Sequence, residues 1–472
     1  MKIGFVSLGC PKNLVDTEVM MGQLVHGGHQ LTAHPEEADV IVVNTCSFID
    51  PAKQESIDTI LEMSEHKKTG KAQRLIVAGC LVERYRGDIR KDLPEVDAIV
   101  GTNELGRIVA LCEGNAEIPA SMPEPYLYHD LTPRVFSTPR HFAYIKISEG
   151  CDHPCSFCVI PQYRGANRSR RPESVVSEAT RMFAQGVREI NLIGQDTTAF
   201  AEDLEIRDGL AHLLARLAGI ETPQPKWVRF LYAYPNRVTS RLLETIAAHD
   251  NLVKYIDMPL QHASASVLKR MKRGASGDIF LKLLEKVRAT IPGVTIRTSF
   301  IVGFPGETKA DFEELCQFAE AAQFDRMGVF SYSDEDTSQS YHLDGKVDAR
   351  TIYDRKRRLM SIQRRISKKK NRALVGREFA VLVEGRSAET DLLWECRSQG
   401  QAPEIDGTCY INDVEGDELQ SGQLRMLRVT EAHDYDLVGT ALPVILASAP
   451  APATAGLFPM FSAHQPERPL HA

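Results

Sequence analysis

The sequence lacks any apolar run of about 18 residues, the length a helix needs to cross a bilayer. Its opening stretch, MKIGFVSLGCPKNLVDTE, meets Lys12, Asp16 and Glu18 before a signal-peptide core is complete. The expected location is therefore cytoplasmic, with no membrane partner. An excess of positive charge is also missing: 56 basic residues against 63 acidic ones give a net charge of −7 at pH 7. No overall field draws such a chain to nucleic acid, so a partner of that kind needs a local basic patch. Internal repeats are absent. Composition is ordinary, with 43% hydrophobic and 25% charged residues, which excludes fibrous and disordered classes. A length of 472 residues predicts about three domains and a large buried core.

Close cysteine pairs are missing too, with one exception. Cysteines fall at positions 10, 46, 80, 112, 151, 155, 158, 316, 396 and 409, and only Cys151, Cys155 and Cys158 cluster in sequence. A reducing cytosol opposes disulfides, so their placement has to be read as thiol chemistry.

Short apolar runs at Ile3 to Leu8, Val40 to Val43, Leu75 to Ala78 and Ala98 to Val100 alternate with helical spacing over Asn13 to Val25 and Ala52 to His66. This pattern predicts a doubly wound parallel α/β domain over 1–114. Residues 115–140 are rich in proline and poor in periodicity, as expected of a linker. Six further strand-like runs follow within 141–375: Phe142 to Ile147, Glu189 to Ile193, Val228 to Tyr232, Tyr255 to Met258, Thr295 to Val302 and Met327 to Tyr332. They predict a partial (βα)6 barrel whose chemistry sits at the C-terminal ends of the strands. Those ends carry Glu149 to Cys158, Gln195, Asp196, Tyr234, Gln261, His262 and Gly303 to Glu307. Residues 350–372, with eleven Lys or Arg and one acid, read as a basic helix closing that unit. Strand-like runs at Phe379 to Val383 and Leu424 to Val429, with Gly turns, predict a small antiparallel β-barrel over 376–442. The tail 443–472 has low complexity and is expected to be disordered.

Cys10, Cys46 and Cys80 each end a predicted parallel strand: IGFVSLGC, DVIVVNTC and RLIVAGC. Neighbouring parallel strands share one rim, so the three thiols are expected to converge and to suit an iron–sulfur cluster with one iron lacking a protein ligand. Buried core cysteines are the competing reading for each of them singly. The spacing Cys151-x3-Cys155-x2-Cys158 puts three soft ligands on one tight loop without a fourth cysteine. A structural zinc site normally closes with four ligands, so zinc would need His153 or His262 to complete it. An open iron suits a cluster that binds and reduces a small molecule.

Cys151, Cys155, Phe157 and Cys158 resemble the signature of radical S-adenosylmethionine (SAM) enzymes. The wider arrangement resembles the methylthiotransferases over roughly residues 1 to 442: an N-terminal cluster domain with three cysteines, a radical SAM partial barrel and a C-terminal TRAM domain. SLGCPKNLVDTE (Ser7 to Glu18) and EGCDHPCSFCVIPQYRG (Glu149 to Gly165) resemble the branch that modifies an aspartate of small-subunit ribosomal protein S twelve. The resemblance implies two 4Fe-4S clusters, on Cys10, Cys46 and Cys80 and on Cys151, Cys155 and Cys158. It also implies reductive cleavage of SAM to a 5′-deoxyadenosyl radical, and transfer of a methylated sulfur to the carbon from which that radical takes hydrogen. Such chemistry is needed because the aspartate β C–H is too weak an acid for a positioned base. The resemblance further implies an electron donor.

Phe157 is a candidate to pack on the SAM adenine by analogy with the family, and Gln195, Gln261 and Arg297, near strand ends, are candidate SAM contacts. Gly303 to Glu307 could let backbone approach a ligand or form only a tight loop. Cys112, Cys316, Cys396 and Cys409 read as structural. The nearest alternative function is methylthiolation of a modified adenosine in tRNA, and an electron carrier without SAM chemistry is a second. Residues 376–441 hold five basic and fourteen acidic residues, which favours a basic protein substrate over tRNA. One complete site per chain is compatible with a monomer.

Overall fold

A computed structural model describes residues 1–115, 126–444 and 460. Most of the predicted tail, and residues 116–125 of the predicted linker, lie outside the described residues.

Strands Lys2–Ser7, Gln30–Thr32, Val40–Thr45, Arg74–Gly79 and Ala98–Val100 form one sheet, with Lys2–Ser7 between Gln30–Thr32 and Val40–Thr45. All its pairings are parallel. Every residue of Val40–Thr45 is buried, because both faces of the sheet are covered. Met20, Met21 and Leu24 of helix Pro11–His26 pack on one face beside Ile108 and Leu111. Ile60 and Met63 of helix Asp50–Thr69 and Leu81 and Val82 of helix Cys80–Asp92 pack on the other. The doubly wound expectation is met, with an extra polar edge strand, Gln30–Thr32, too short to show a period.

Phe142–Lys146, Glu189–Ile193 and Trp227–Phe230 pair in parallel, as do Tyr255–Asp257, Thr295–Val302 and Arg326–Ser331. A parallel bridge from Val228 to Leu252 links the two halves into an open six-stranded barrel. Helix Ala349–Arg372 closes it, capped by Asp348 accepting from the Thr351 N–H at 2.9 Å and burying Leu359, Ile362 and Ile366.

The C-terminal unit is a closed barrel of Glu378–Arg386, Trp394–Ser398, Cys409–Val414, Leu424–Ala432 and Leu437–Val444. One pair departs from the antiparallel expectation: Cys409–Val414 runs parallel to Leu437–Val444, which closes the ring.

Residues 126–140 are not a loose linker. Tyr128 is only 3% exposed, and Arg134 donates to Glu18 and Glu178, each at 2.9 Å. The prolines there turn the chain while these side chains strap the first helix to the barrel. Val15 and Val19 of that helix share an apolar cluster with Tyr144, Trp227 and Tyr255 of the central barrel and Leu382 and Ala402 of the small one. Burying such side chains stabilises by about 2 kcal/mol each, so the three units are locked in one orientation. Beside this cluster, Arg229 donates to Glu189 at 2.8 Å, and Arg397 of the small barrel pairs with the same carboxylate at 2.7 Å.

Candidate functional site

Cys10 follows strand Lys2–Ser7 and is the N-cap of helix Pro11–His26. Cys46 follows Val40–Thr45, and Cys80 follows Arg74–Gly79 and opens helix Cys80–Asp92. Three adjacent parallel strands therefore deliver the three thiols to one rim, two of them at the positive ends of helices, where a thiolate is favoured. Gly9 makes the approach possible: at its φ of +87° an added Cβ would stand 2.7 Å from Cys46 Cβ. Burial pushes the Cys46 thiol up to about 12, with further repulsion from Cys80 and Cys10. Burial also raises Cys10, but Lys12 and Arg164 override it and leave this thiol below its ordinary value.

The second trio occupies the loop between strand Ser148–Glu149 and helix Ile160–Arg164. The loop is held by Cys151 N–H to Gly165 O at 3.0 Å and Cys158 N–H to Cys155 O at 3.1 Å. His153 stacks on Tyr234 with centroids 3.6 Å apart, and its Nε2 lies 2.6 Å from Asp196 Oδ2. Arg273 Nη1 stands 3.6 Å from Cys155 Sγ. Burial raises Cys151 to about 11 and Cys158 to about 12, and the neighbouring thiols of the loop add to both.

Among the described residues no three His, Cys, Asp or Glu side chains close around a single ion, whereas tetrahedral zinc would need its sulfurs about 3.8 Å apart. His153 is committed to Asp196, and His262 Nδ1 accepts the Ser264 N–H at 3.0 Å, so neither histidine completes a zinc set. Cys46, Cys80, Cys151 and Cys158, all held above their ordinary values, would ionise against added positive charge. A wide, cationic iron–sulfur cluster would supply that charge, and both trios fit one.

Between the trios runs a buried polar seam. Arg164 donates to Glu149 Oε1 at 2.7 Å and Asn13 Oδ1 at 2.7 Å, and lies 3.2 Å from Cys80 Sγ. Lys146 donates to Glu149 Oε2 at 2.5 Å and also pairs with Asp16. Burial alone would raise Glu149; Arg164 and Lys146 outweigh it and hold the carboxyl well below the usual range. On the other side, Lys12 Nζ sits 3.5 Å from the centroid of the Tyr232 ring. Tyr232 is a non-glycine residue at φ +65°, held by its N–H to Asp257 Oδ2 at 3.0 Å. Backbone strain of this kind concentrates at working sites.

The four proposed SAM contacts sit differently. Gln195 donates to Glu149 Oε1 at 2.8 Å, and its Oε1 is buried without a partner. Phe157 is partly buried and meets Phe304 edge-on, with centroids 6.4 Å apart. Gln261, at φ +73°, bridges to Phe300 through its backbone. Arg297 is the third residue of its strand, and its guanidinium is taken up by Asp257 at 2.8 Å and by Asp406 of the small barrel at 3.6 Å. The Gly303 to Glu307 loop packs inward: a Cβ on Gly303 would strike Ile352 at 2.2 Å. Cys112, Cys316, Cys396 and Cys409 lie in apolar cores. A cavity of about 630 Å3 opens at the opposite end of the barrel, lined by Val294, Arg326, Lys370 and Phe379, away from the cysteines.

Sequence reasoning passed over Lys12, Asn13, Asp16, Lys146, Arg164, Tyr232 and Arg273. Asn13 and Asp16 stand three apart on one helix face, a signal that was available. The pairing of Arg164 with Glu149 and Cys80 arises only when two domains meet, so no spacing announces it.

Residues 2–101 match the uncharacterized protein family UPF0004, residues 145–319 the radical SAM superfamily, and residues 375–442 the TRAM domain. A solved structure of the radical SAM methyltransferase TsrM from Kitasatospora setae, with cobalamin and a [4Fe-4S] cluster bound, covers 70% of this chain and 74% of its own. At TM-score 0.53 and 13% identity, it supports the fold alone. The ribosomal protein uS12 methylthiotransferase RimO of Solibacter usitatus is 73% identical over 97% of this chain and 98% of its own length. That of Koribacter versatilis is 58% identical over 93% of this chain and 96% of its own. A radical SAM domain brings SAM and iron–sulfur chemistry with it, in keeping with the cysteine trios. With both relatives matched nearly end to end, the chain belongs to the RimO family of radical SAM methylthiotransferases.

Proposed function

We infer that this chain methylthiolates the β-carbon of an aspartate in ribosomal protein uS12, using one 4Fe-4S cluster on Cys151, Cys155 and Cys158 and another on Cys10, Cys46 and Cys80. The observation that carries this reading is the joining of the two trios by one buried seam, in which Arg164 touches Cys80 and Glu149 together. When bound, the clusters and SAM supply the radical that removes hydrogen and the methylated sulfur that replaces it.

The residues of the chain do the rest. Glu149, kept ionised by Arg164 and Lys146, holds the Gln195 amide so that its buried carbonyl faces inward as an acceptor. Phe157 offers an apolar surface beside the cysteine loop, and Gln261 lies at the next strand end. Arg297, saturated by Asp257 and Asp406, serves in this reading to brace the central barrel against the small one. Asn13, Asp16 and Lys146 fix the first helix on the barrel, so that Cys10 and Cys80 keep their place relative to the second trio. The apolar packing around this seam excludes water from reactive intermediates.

The acidic TRAM barrel favours a basic protein over tRNA as substrate, since phosphate repulsion would oppose the latter. An electron donor is required, a monomer suffices, and the cytoplasm suits the chemistry. No helix among the described residues is long and apolar enough to cross a membrane. The test is mass spectrometry after anaerobic incubation with SAM, a reductant, and either uS12 or tRNA. The expected result is a methylthio group in place of one hydrogen on uS12. Modification of tRNA alone, or no formation of 5′-deoxyadenosine, would overturn the reading.

A further inference from the structure

Lys12 stands beside Cys10, whose thiol it pulls down, at a position otherwise unfavourable to a cation. It is the second residue of helix Pro11–His26, where the helix dipole disfavours a cation, and the first turn carries no acidic residue to offset it. Among the described residues no carboxylate pairs with it. Its ammonium rests on the Tyr232 ring, 3.5 Å from the centroid. An aromatic face orients a cation without neutralising it.

Nearby cations behave otherwise. Lys146 is shared by Asp16 and Glu149, and Arg164 is bound to Glu149 and Asn13. Arg273 also lacks a carboxylate, but it belongs to the other side, beside Cys155 and over the Tyr234 ring at 4.3 Å. Tyr232 and Tyr234 are two residues apart at one strand end. Each carries a cation that no carboxylate among the described residues answers, one toward Cys10 and one toward Cys155. Half-buried, and two residues from Cys10, Lys12 is free to meet an anion entering from outside the chain. Holding an unpaired cation there costs folding energy that a bound carboxylate returns.

We propose that Lys12, aimed by the strained Tyr232, is the specificity-determining residue that receives a carboxylate at the sulfur-inserting trio, namely the side chain of the substrate aspartate. This rests on uS12 being the substrate. A second carboxylate, that of SAM, shares the chemistry, and Arg273 is the cation placed to serve it. The division gives each carboxylate its own cation and separates substrate recognition from SAM binding.

The test measures affinity of the cluster-loaded enzyme for fluorescently labelled uS12 and for uS12 carrying asparagine at the target position, with SAM affinity measured in parallel. The unaltered enzyme is expected to bind the asparagine protein about tenfold more weakly, the usual worth of a charge-assisted hydrogen bond. Lys12→Gln should lose about that factor for the aspartate protein and no longer distinguish the two. Lys12→Arg, which keeps the charge, should restore the preference and guards against a folding artefact. A Lys12→Gln enzyme that still prefers aspartate would overturn the proposal. So would loss of SAM affinity with the uS12 preference intact, which would assign the ammonium to SAM. Failure of the unaltered enzyme to bind uS12 at all would instead overturn the substrate reading, and this inference with it.

Discussion

Arg164 lies 3.2 Å from Cys80 Sγ through one terminal nitrogen while the other donates to Glu149 Oε1 at 2.7 Å, two residues before Cys151. A single planar fork thus ties the N-terminal sheet to the radical SAM loop, and it does so where side-chain exposure is 2–3%.

Removing the fork leaves Glu149 and Asp16 with Lys146 as their remaining cation. Breaking one side of a buried ion network costs about 3–5 kcal/mol, so Arg164→Met should lower unfolding stability by about that amount in chemical denaturation. Arg164→Lys should fall between the two, because an ammonium keeps the charge but not the bidentate geometry. An unchanged denaturation midpoint for Arg164→Met would show that the seam does not hold the domains.

Glu189 makes a separate prediction at the other interface. Its carboxylate is fully buried against Arg229 and Arg397, and Glu189→Gln would leave Arg229 without a carboxylate while Arg397 keeps Glu384 at 2.6 Å. Expected are a loss of about 3 kcal/mol or more and faster proteolysis of the small barrel. The double change Glu189→Gln with Arg229→Met should recover part of the loss, since Arg229 is the guanidinium left without a carboxylate.

Much of this was legible in the sequence. The six strands of the central barrel read as apolar runs because both faces are covered, and the cysteines ending three such runs announced a shared rim. Three strands of the small barrel did not read. Trp394–Ser398 is WECRS, and Cys409–Val414 and Leu437–Val444 pair across shifted registers that break the two-residue period. The strap over residues 126–140 was hidden by its prolines. Arg297 looked available at a strand end; Asp406, from a domain more than a hundred residues later, shares it with Asp257.

His262 carries a pH dependence. Burial holds its imidazole down at about 3 from an ordinary 6.5, and its Nε2 is buried without a partner. Between those two values the unfolded chain takes up a proton that the folded chain refuses. Stability from this source is therefore present above about pH 6.5 and is lost as pH falls toward 3. His262→Gln should flatten the dependence of unfolding free energy on pH between about 4 and 6 by up to about 1.4 kcal/mol per pH unit. An unaltered slope would mean that this imidazole already accepts its proton in the folded protein.

An iron and sulfide count of anaerobically reconstituted protein tests the two-cluster reading most directly. The unaltered chain should hold about eight irons, and replacing either Cys10, Cys46 and Cys80 or Cys151, Cys155 and Cys158 with alanine should leave about four. If either triple replacement kept all eight irons, or lost every one, the six thiols would not be working as two independent trios.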